Sequence, residues 1–445
     1  GRRFGSRGLV RCPPRRSWCG VGGRSEPGGR WRAITGRSGA VRSGLDVCTD
    51  VARPSNSVTV DDLVAGSKTA SPVRGVEWGG AHRSRARLLA FYLPQYHPIP
   101  ENDAAWGAGF TEWTHVVRAR PLFCGHEQPR LPGELGFYDL RIPEVREAQA
   151  RLAVEHGIEG FCYWHYWFAG KRILERPFSE VLQSGKPDFP FCLGWANASW
   201  TGTWYDAPDH TLIEQTYPGV EDHKAHFKTL LPAFLDARYM AVDGKPVFLV
   251  FQPSDLDAAA VNLWRELASQ AGLKGLWLIG VVKHAQEASK IKANGFDACT
   301  ISRTNGRGIH LPALQRFIQR LAGSRKAPIL YQQLFKKPFH VYKYAEILPY
   351  IDLESEVELD FYPAVMPGWD NTPRAGLNGQ VFRDASPEVF RSHLKQAIAR
   401  VSAYQLEHQL VIVKSWNEWA EGNHLEPDLK YGMAFLEAIK QVMKG

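Results

Sequence analysis

From Leu88 onward the chain repeats one unit: a short apolar run, a polar or aromatic end, then an amphipathic stretch at helical spacing. Eight such units follow one another. Strands are expected at Leu88–Leu93, Ile158–Tyr163, Phe189–Trp195, Pro246–Phe251, Leu276–Val282, Phe296–Ile301, near Tyr362–Met366, and at Leu410–Lys414. The expected helices between them are Pro143–His156, Leu174–Ser184, Asp222–Asp236, Asp257–Ala271, Ala285–Asn294 and Pro387–Tyr404, with a last one at Gly432–Met443. Strands that are apolar throughout, alternating with helices, call for a parallel sheet covered on both faces. No Gly-rich phosphate turn follows the first strand, where an open dinucleotide-binding sheet would need one. The expected fold is an α/β (β/α)8 TIM barrel. It has a long loop before Leu140 and a long insertion, Ser302–Phe361, between strands six and seven, with helices near Pro312–Ala322 and Tyr342–Tyr350.

Charge divides the chain. Residues 1–86 hold 16 Lys and Arg against 6 Asp and Glu, a net of +10, while the remainder has 38 basic and 40 acidic residues. The barrel region is therefore not a polyanion binder, and no nucleic-acid partner is expected. The first segment, rich in Gly, Arg and Ser, lacks the apolar surface to offset its ordering entropy. It reads as a disordered or artefactual arm on a domain spanning 87–445, and a start at Gly1 rather than Met reads as a fragment or upstream translation. Seven cysteines form no zinc-type CxxC pair; Cys162, Cys192 and Cys299 sit in apolar runs as buried thiols, and Cys12, Cys19 and Cys48 in the arm. With no apolar run of membrane-spanning length and no secretory leader, the cytosol or the cytosolic face of a membrane is expected.

In a barrel, functional residues come from the carboxyl ends of several strands. Aromatic and polar clusters stand at the ends of strands one, two, three, seven and eight. They supply Tyr92, His97, Trp113, Tyr163, His165, Trp195, Asn197, Trp369, Asn371 and Asn417 as candidate substrate contacts. Indole and phenol faces stack on sugar rings, and amides and imidazoles bond hydroxyls; among the tryptophans, Trp195, Trp200, Trp369 and Trp416 are the better placed. His97, His165 and His424 match no zinc signature, so neither metal nor cofactor is expected. Asp255-Leu256-Asp257 is a DxD, the pattern by which many glycosyltransferases hold a metal and a nucleotide diphosphate. It precedes a helix, however, and reads as the cap Asp257; Asp222 reads as a cap in the same way.

The sharpest chemistry lies in SWNEWAEGNHLEPD, after the last strand. In extended chain Glu418 and Glu421 would point to opposite faces about 10 Å apart. In a helical turn they share a face, about 5–6 Å apart at Cβ. Two carboxyls that close suit retaining glycoside hydrolysis, where roughly 5–5.5 Å is usual. Gly422 supplies the backbone freedom of a tight turn.

The segments AFYLPQYHPIPEND, GFTEWTHV, GFCYWHYWFAGKRILE, WANASWTGTW, PGWDNTPR and SWNEWAEGNHLEPD resemble the WbsX-type proteins of bacterial polysaccharide gene clusters. That group is related to glycoside hydrolase family 99, the retaining endo-acting α-mannosidases and α-mannanases. The resemblance covers Leu88 to Met443 and implies a (β/α)8 fold. It casts Glu418 as the base toward the substrate's 2-hydroxyl and Glu421 as acid and then base, with the acid's pKa raised relative to its partner. The chain departs from many such relatives at Ala198 and Ser199, which stand where those carry Glu-Asn. The implied partner is an oligo- or polysaccharide of the cell surface, or its lipid-linked precursor. Two rivals stay open: a nucleotide-sugar-dependent glycosyltransferase, needing Asp255, Asp257 and a metal at the pocket, and a non-catalytic glycan-binding barrel.

Overall fold

The computed structural model describes residues 86–201, 211–301, 311–350 and 359–444. Eight parallel strands alternate with helices through them. In chain order these are β1 (Arg87–Tyr92), α1 (Pro143–Glu155), β2 (Gly160–Phe168), α2 (Arg176–Ser184), β3 (Phe191–Trp195), α3 (Val220–Phe234), β4 (Lys245–Val250) and α4 (Ala258–Gln270). The second half is β5 (Trp277–Val282), α5 (Ala285–Ala293), β6 (Ala298–Ile301), α6 (Ala313–Phe335), β7 (Asp360–Tyr362 and Ala364–Val365), α7 (Pro387–Val401), β8 (Leu410–Val413) and α8 (Ala434–Lys444).

Each strand pairs in parallel with the next, and β1 pairs with β8 (Leu88↔Val411). Closure runs through β7, which Pro363 splits because proline brings no N–H to the ladder. Its first piece pairs with β6 (Ala298↔Asp360) and its second with β8 (Ala364↔Ile412), while the Ile412 amide donates to the Pro363 carbonyl (3.0 Å). The barrel is therefore closed, with strands buried along their length; β8, Leu-Val-Ile-Val, is wholly buried.

Helix starts follow local chemistry. Ser386 caps α7 ahead of Pro387, and Asp257 caps α4 by accepting from the Ala260 amide (2.8 Å). Asp222 does not cap: it lies in the first turn of α3 behind Gly219 and accepts from the Trp167 indole (3.1 Å). The loop before Leu140 contains two short helices, Pro100–Trp106 and Trp113–Arg118. Strand β2 does not stop at Tyr163 but continues to Phe168 and folds back as a hairpin onto Lys171–Ile173. The insertion carries α6, two helical stretches broken at Gly323 (φ 74°, ψ 159°), and a strand, His340–Lys343, paired with Gln380–Arg383. Gln380–Arg383 pairs in turn with Trp369–Asp370, so a small second sheet forms one rim of the barrel mouth. Among the described residues no helix is long and apolar enough to cross a membrane. The arm read at residues 1–86 lies, apart from Ala86, outside them.

Candidate active site

Beyond β8 the chain forms a tight hairpin across the barrel mouth. Asn417–Glu418 pairs antiparallel with Asn423–His424, and the 3₁₀ turn Trp419–Glu421 joins them. A 3₁₀ turn eclipses residues three apart, so Glu418 and Glu421 leave the hairpin on one side. Gly422 closes the turn in the left-handed region (φ 59°, ψ 34°). A Cβ there would lie 3.0 Å from Arg130 Nη1 and from Asp370 Cβ and N. Gly422→Ala is therefore expected to destabilise the fold by roughly 2 kcal/mol or more, strain and contact adding, which a chemical denaturation midpoint will measure.

Asn417 fastens the hairpin to the end of β1. Its Oδ1 accepts from the Leu93 amide (2.7 Å) and its Nδ2 donates to the Leu93 carbonyl (3.0 Å). The Tyr96 hydroxyl donates to the Asn417 carbonyl, and Glu426 takes hydrogen bonds from Tyr138 (2.8 Å), Gln149 (2.6 Å) and the Trp419 indole (2.7 Å). Burial lifts the Glu426 carboxyl to about 7 against those donors.

Arg374, in the short helix Thr372–Ala375 on the facing rim, organises the acids. Its Nη2 donates to Glu418 (2.7 Å), its Nη1 to Glu421 (2.9 Å) and its Nε to Glu112 (2.6 Å). Three carboxylates from separate parts of the chain thus surround one guanidinium, with Glu112 fully buried and the other side chains 9% exposed. Burial raises the Glu418 carboxyl to about 7; Arg374 opposes this, and the neighbouring charges of Glu421 and Glu112 add to it. The lifted carboxyl is thus the one the resemblance casts as base rather than acid. Asp370 holds the same rim by accepting from His126 (2.8 Å), Gln128 (2.7 Å) and the Thr372 hydroxyl (2.6 Å). Burial pushes its carboxyl up, but His126, Arg130 and Thr372 together hold it below the usual range.

Glu418, Glu421 and Arg374 open into a cleft of about 340 Å³. Trp106, Trp164, Tyr166, Trp200, Phe251 and Trp369 provide its aromatic walls, and Lys283 and Lys414 its further cations, the Lys414 ammonium lying 4.6 Å from the centre of the Trp369 ring. Of the ten contacts expected from sequence, Trp369 lines this cleft. The other nine do not, and each is bonded to or packed on the scaffold. Tyr92 donates to Gln149 of α1 (2.6 Å), Tyr163 packs on Phe178 of α2, and His165 bonds His226 of α3 (2.8 Å). Trp195 stacks on Trp264 of α4. His97 bonds the Pro94 carbonyl (3.0 Å), and Trp113 donates to the Tyr138 carbonyl (2.8 Å). Asn197 ties Gln252 and Tyr217 together, Asn371 accepts from the Gln380 amide (2.7 Å), and Asn417 holds Leu93.

Arg374, Glu112, Trp164, Tyr166, Lys283 and Lys414 were not singled out as site residues. Arg374 and Glu112 stand inside motifs quoted for the resemblance, PGWDNTPR and GFTEWTHV. Asp255 and Asp257 lie on the β4–α4 connection and line no part of the cleft. Cys162 and Cys192 are buried in adjacent strands, and burial raises the Cys162 thiol well above its ordinary value, an inert setting. Among the described residues no three His, Cys, Asp or Glu side chains converge as a metal site requires.

A closed barrel with an acid pair at its mouth is the frame that the sequence resemblance implies. The chain belongs to the WbsX glycosyltransferase family, whose model, described as Glycosyltransferase WbsX, matches residues 88–439. It is 37% identical over 363 residues to the uncharacterized protein WxcX of Xanthomonas campestris pv. campestris strain B100, covering 80% of this chain and 50% of that one. The same protein of strain ATCC 33913 matches at 37% over 367 residues. The chain thus spans about half the length of the curated relatives it matches. Solved structures of similar outline include a glycoside hydrolase-like protein (16% identity, TM-score 0.49, 84% of this chain and 98% of that one). Another is the GH99 endo-alpha-mannosidase from Bacteroides thetaiotaomicron (15%, 0.49, 80% and 95%).

Proposed function

We propose that this barrel breaks or transfers a glycosidic bond of a cell-surface polysaccharide, its repeat unit or a lipid-linked precursor, with retention of configuration. One observation carries the reading: two glutamates leave a single hairpin turn, gripped by one arginine, at the wall of an aromatic cleft of sugar-binding size. Glu418 takes the proton from the substrate's 2-hydroxyl, and that oxygen attacks the anomeric carbon. As the glycosidic bond breaks, Glu421 gives its proton to the departing oxygen. In the second half Glu421 takes a proton from water or an acceptor hydroxyl, which attacks the anomeric carbon and breaks its bond to the 2-oxygen, and Glu418 returns its proton to that oxygen. Two inversions give net retention. Burial lifts the Glu418 carboxyl, which makes it a stronger base once it is ionised. Trp164 and Trp200, both partly exposed, border the cleft where sugar rings would lie.

The family's description as glycosyltransferases favours a second reading, in which an acceptor hydroxyl rather than water completes the reaction. Incubation with α-linked mannosides and lipid-linked oligosaccharides, followed by proton NMR, tests the proposal. The first-formed product should carry the substrate's anomeric configuration. An inverted product, or consumption of UDP- or GDP-sugars that a chelator abolishes, would replace it.

A further inference from the structure

The two stretches of α6 pack inward through a few residues and leave a row of large apolar side chains exposed. Ile318 and Ala327, one from each side of the Gly323 break, pack with Phe339, and Gln315 donates to the Phe339 carbonyl (3.0 Å). Outward, Leu314 (48% exposed), Phe317 (59%) and Leu321 (70%) recur at helical spacing, followed by Ile329 (57%) and Leu334 (63%). Seven of the fifteen exposed large hydrophobic residues among those described fall within these 23 residues. Soluble surfaces carry such residues singly, so a concentration of this kind marks a contact.

Charge says with what. Arg316, Arg320, Arg325, Lys326, Lys336 and Lys337 are all exposed in or directly after α6, and no Asp or Glu occurs from Pro312 to Ala345. Exposed Phe and Leu interleaved with cations alone is the pattern of a helix lying in the headgroup layer of an anionic bilayer. Position gives the contact a purpose. Gln332 of α6 donates to the Leu377 carbonyl (3.0 Å) and Asn378 Oδ1 (3.1 Å), in the turn that follows Arg374. The strand after α6, His340–Lys343, belongs to the small sheet that holds Trp369. The apolar face is thus built onto the rim that carries the cleft's arginine and one of its indoles.

We propose that α6 docks this barrel on an anionic lipid bilayer, holding the cleft mouth at the headgroup surface, where a glycan on a lipid carrier would be presented. The docking stands on α6 alone; the carrier-linked glycan rests on the function proposed above. Its test needs no turnover. Full-length chain is sedimented with vesicles of phosphatidylcholine and with vesicles of equimolar phosphatidylcholine and phosphatidylglycerol, at low and high salt. Binding is expected to the anionic vesicles and to weaken with salt. R316Q/R320Q/R325Q is expected to weaken partitioning about a hundredfold. F317S/L321S/L334S should lose it to a similar extent. Both sets are surface changes, and an unaltered melting temperature confirms that the fold is kept. Vesicle binding unchanged in both variants overturns the assignment, because the basic residues 1–86 would then account for it. A wild type that ignores both vesicles also overturns it, as does self-association that F317S/L321S/L334S abolishes without any vesicle binding.

Discussion

Arg374→Met is expected to lower stability by about 3–5 kcal/mol at pH 8, the usual cost of leaving buried charge without its partner, and by clearly less at pH 5. The pH dependence separates charge from mere loss of packing. Glu418 titrates at about 7 in the fold against 4.5 ordinarily, burial setting the rise and Arg374 holding it down. A carboxyl raised in this way gives stability that is fully present below its unfolded value and is lost as pH climbs through the folded one. Wild type therefore forfeits some of the Glu418 contribution between about pH 4.5 and 7. Without the guanidinium that carboxyl must climb further, so the variant forfeits more and over a wider range. Urea denaturation at the two pH values measures the difference. Equal losses at both would mean that Arg374 only fills space. Arg374→Lys keeps a charge but not three donors in fixed directions, so it should fall between the two.

The barrel was legible because its strands are apolar runs bounded by helix caps and turns, and seven of the eight sit within two residues of the expected bounds at each end. The exception is β2, where Trp164-His165-Tyr166-Trp167 resembles a polar strand end and is in fact more strand. The split of β7 at Pro363 could have been anticipated, since a proline in a central strand must break its ladder. The helices in the loop before Leu140 were hidden by brevity: neither exceeds seven residues, too short for a period to show.

That Glu418 and Glu421 share one side of a turn was legible and the walls of the cleft were not, for a geometric reason. Successive residues of a barrel strand point alternately to the interior and to the surrounding helices. In a parallel sheet both faces are buried, so apolarity does not say which is which. On β1 and β2 the expected contacts Tyr92, Tyr163 and His165 belong to the helix-facing set, against α1, α2 and α3. Their neighbours Phe91, Trp164 and Tyr166 line the cleft. A shift of one residue in phase exchanges the whole set. In the structure Gly194 marks the phase: a Cβ there would meet Trp164 Cζ3 at 3.0 Å, so the ring claims the space inside the barrel. Arg374 was hidden differently, since a charge that answers three acids distant in sequence has no local pattern.

Glu418→Gln and Glu421→Gln are each expected to lower kcat/KM on a natural glycan about a thousandfold, the scale of removing a general acid or base. The two losses should differ in kind. Glu421 serves the departing oxygen, so an aryl glycoside whose nitrophenolate leaves without protonation should recover most of the first step in Glu421→Gln. Glu418→Gln gains nothing from that substrate, because it lacks the group that activates the 2-hydroxyl. The working form holds one proton on the pair, at Glu421, so wild-type kcat/KM should also fall on the alkaline side of about pH 7, where the lifted pair gives up its last proton. In Glu418→Gln that limb should vanish from the residual rate. A wild-type profile flat from pH 5 to 8, or two variants equally crippled on both substrates, would remove the division of labour. The two acids would then be left as interchangeable charges around Arg374.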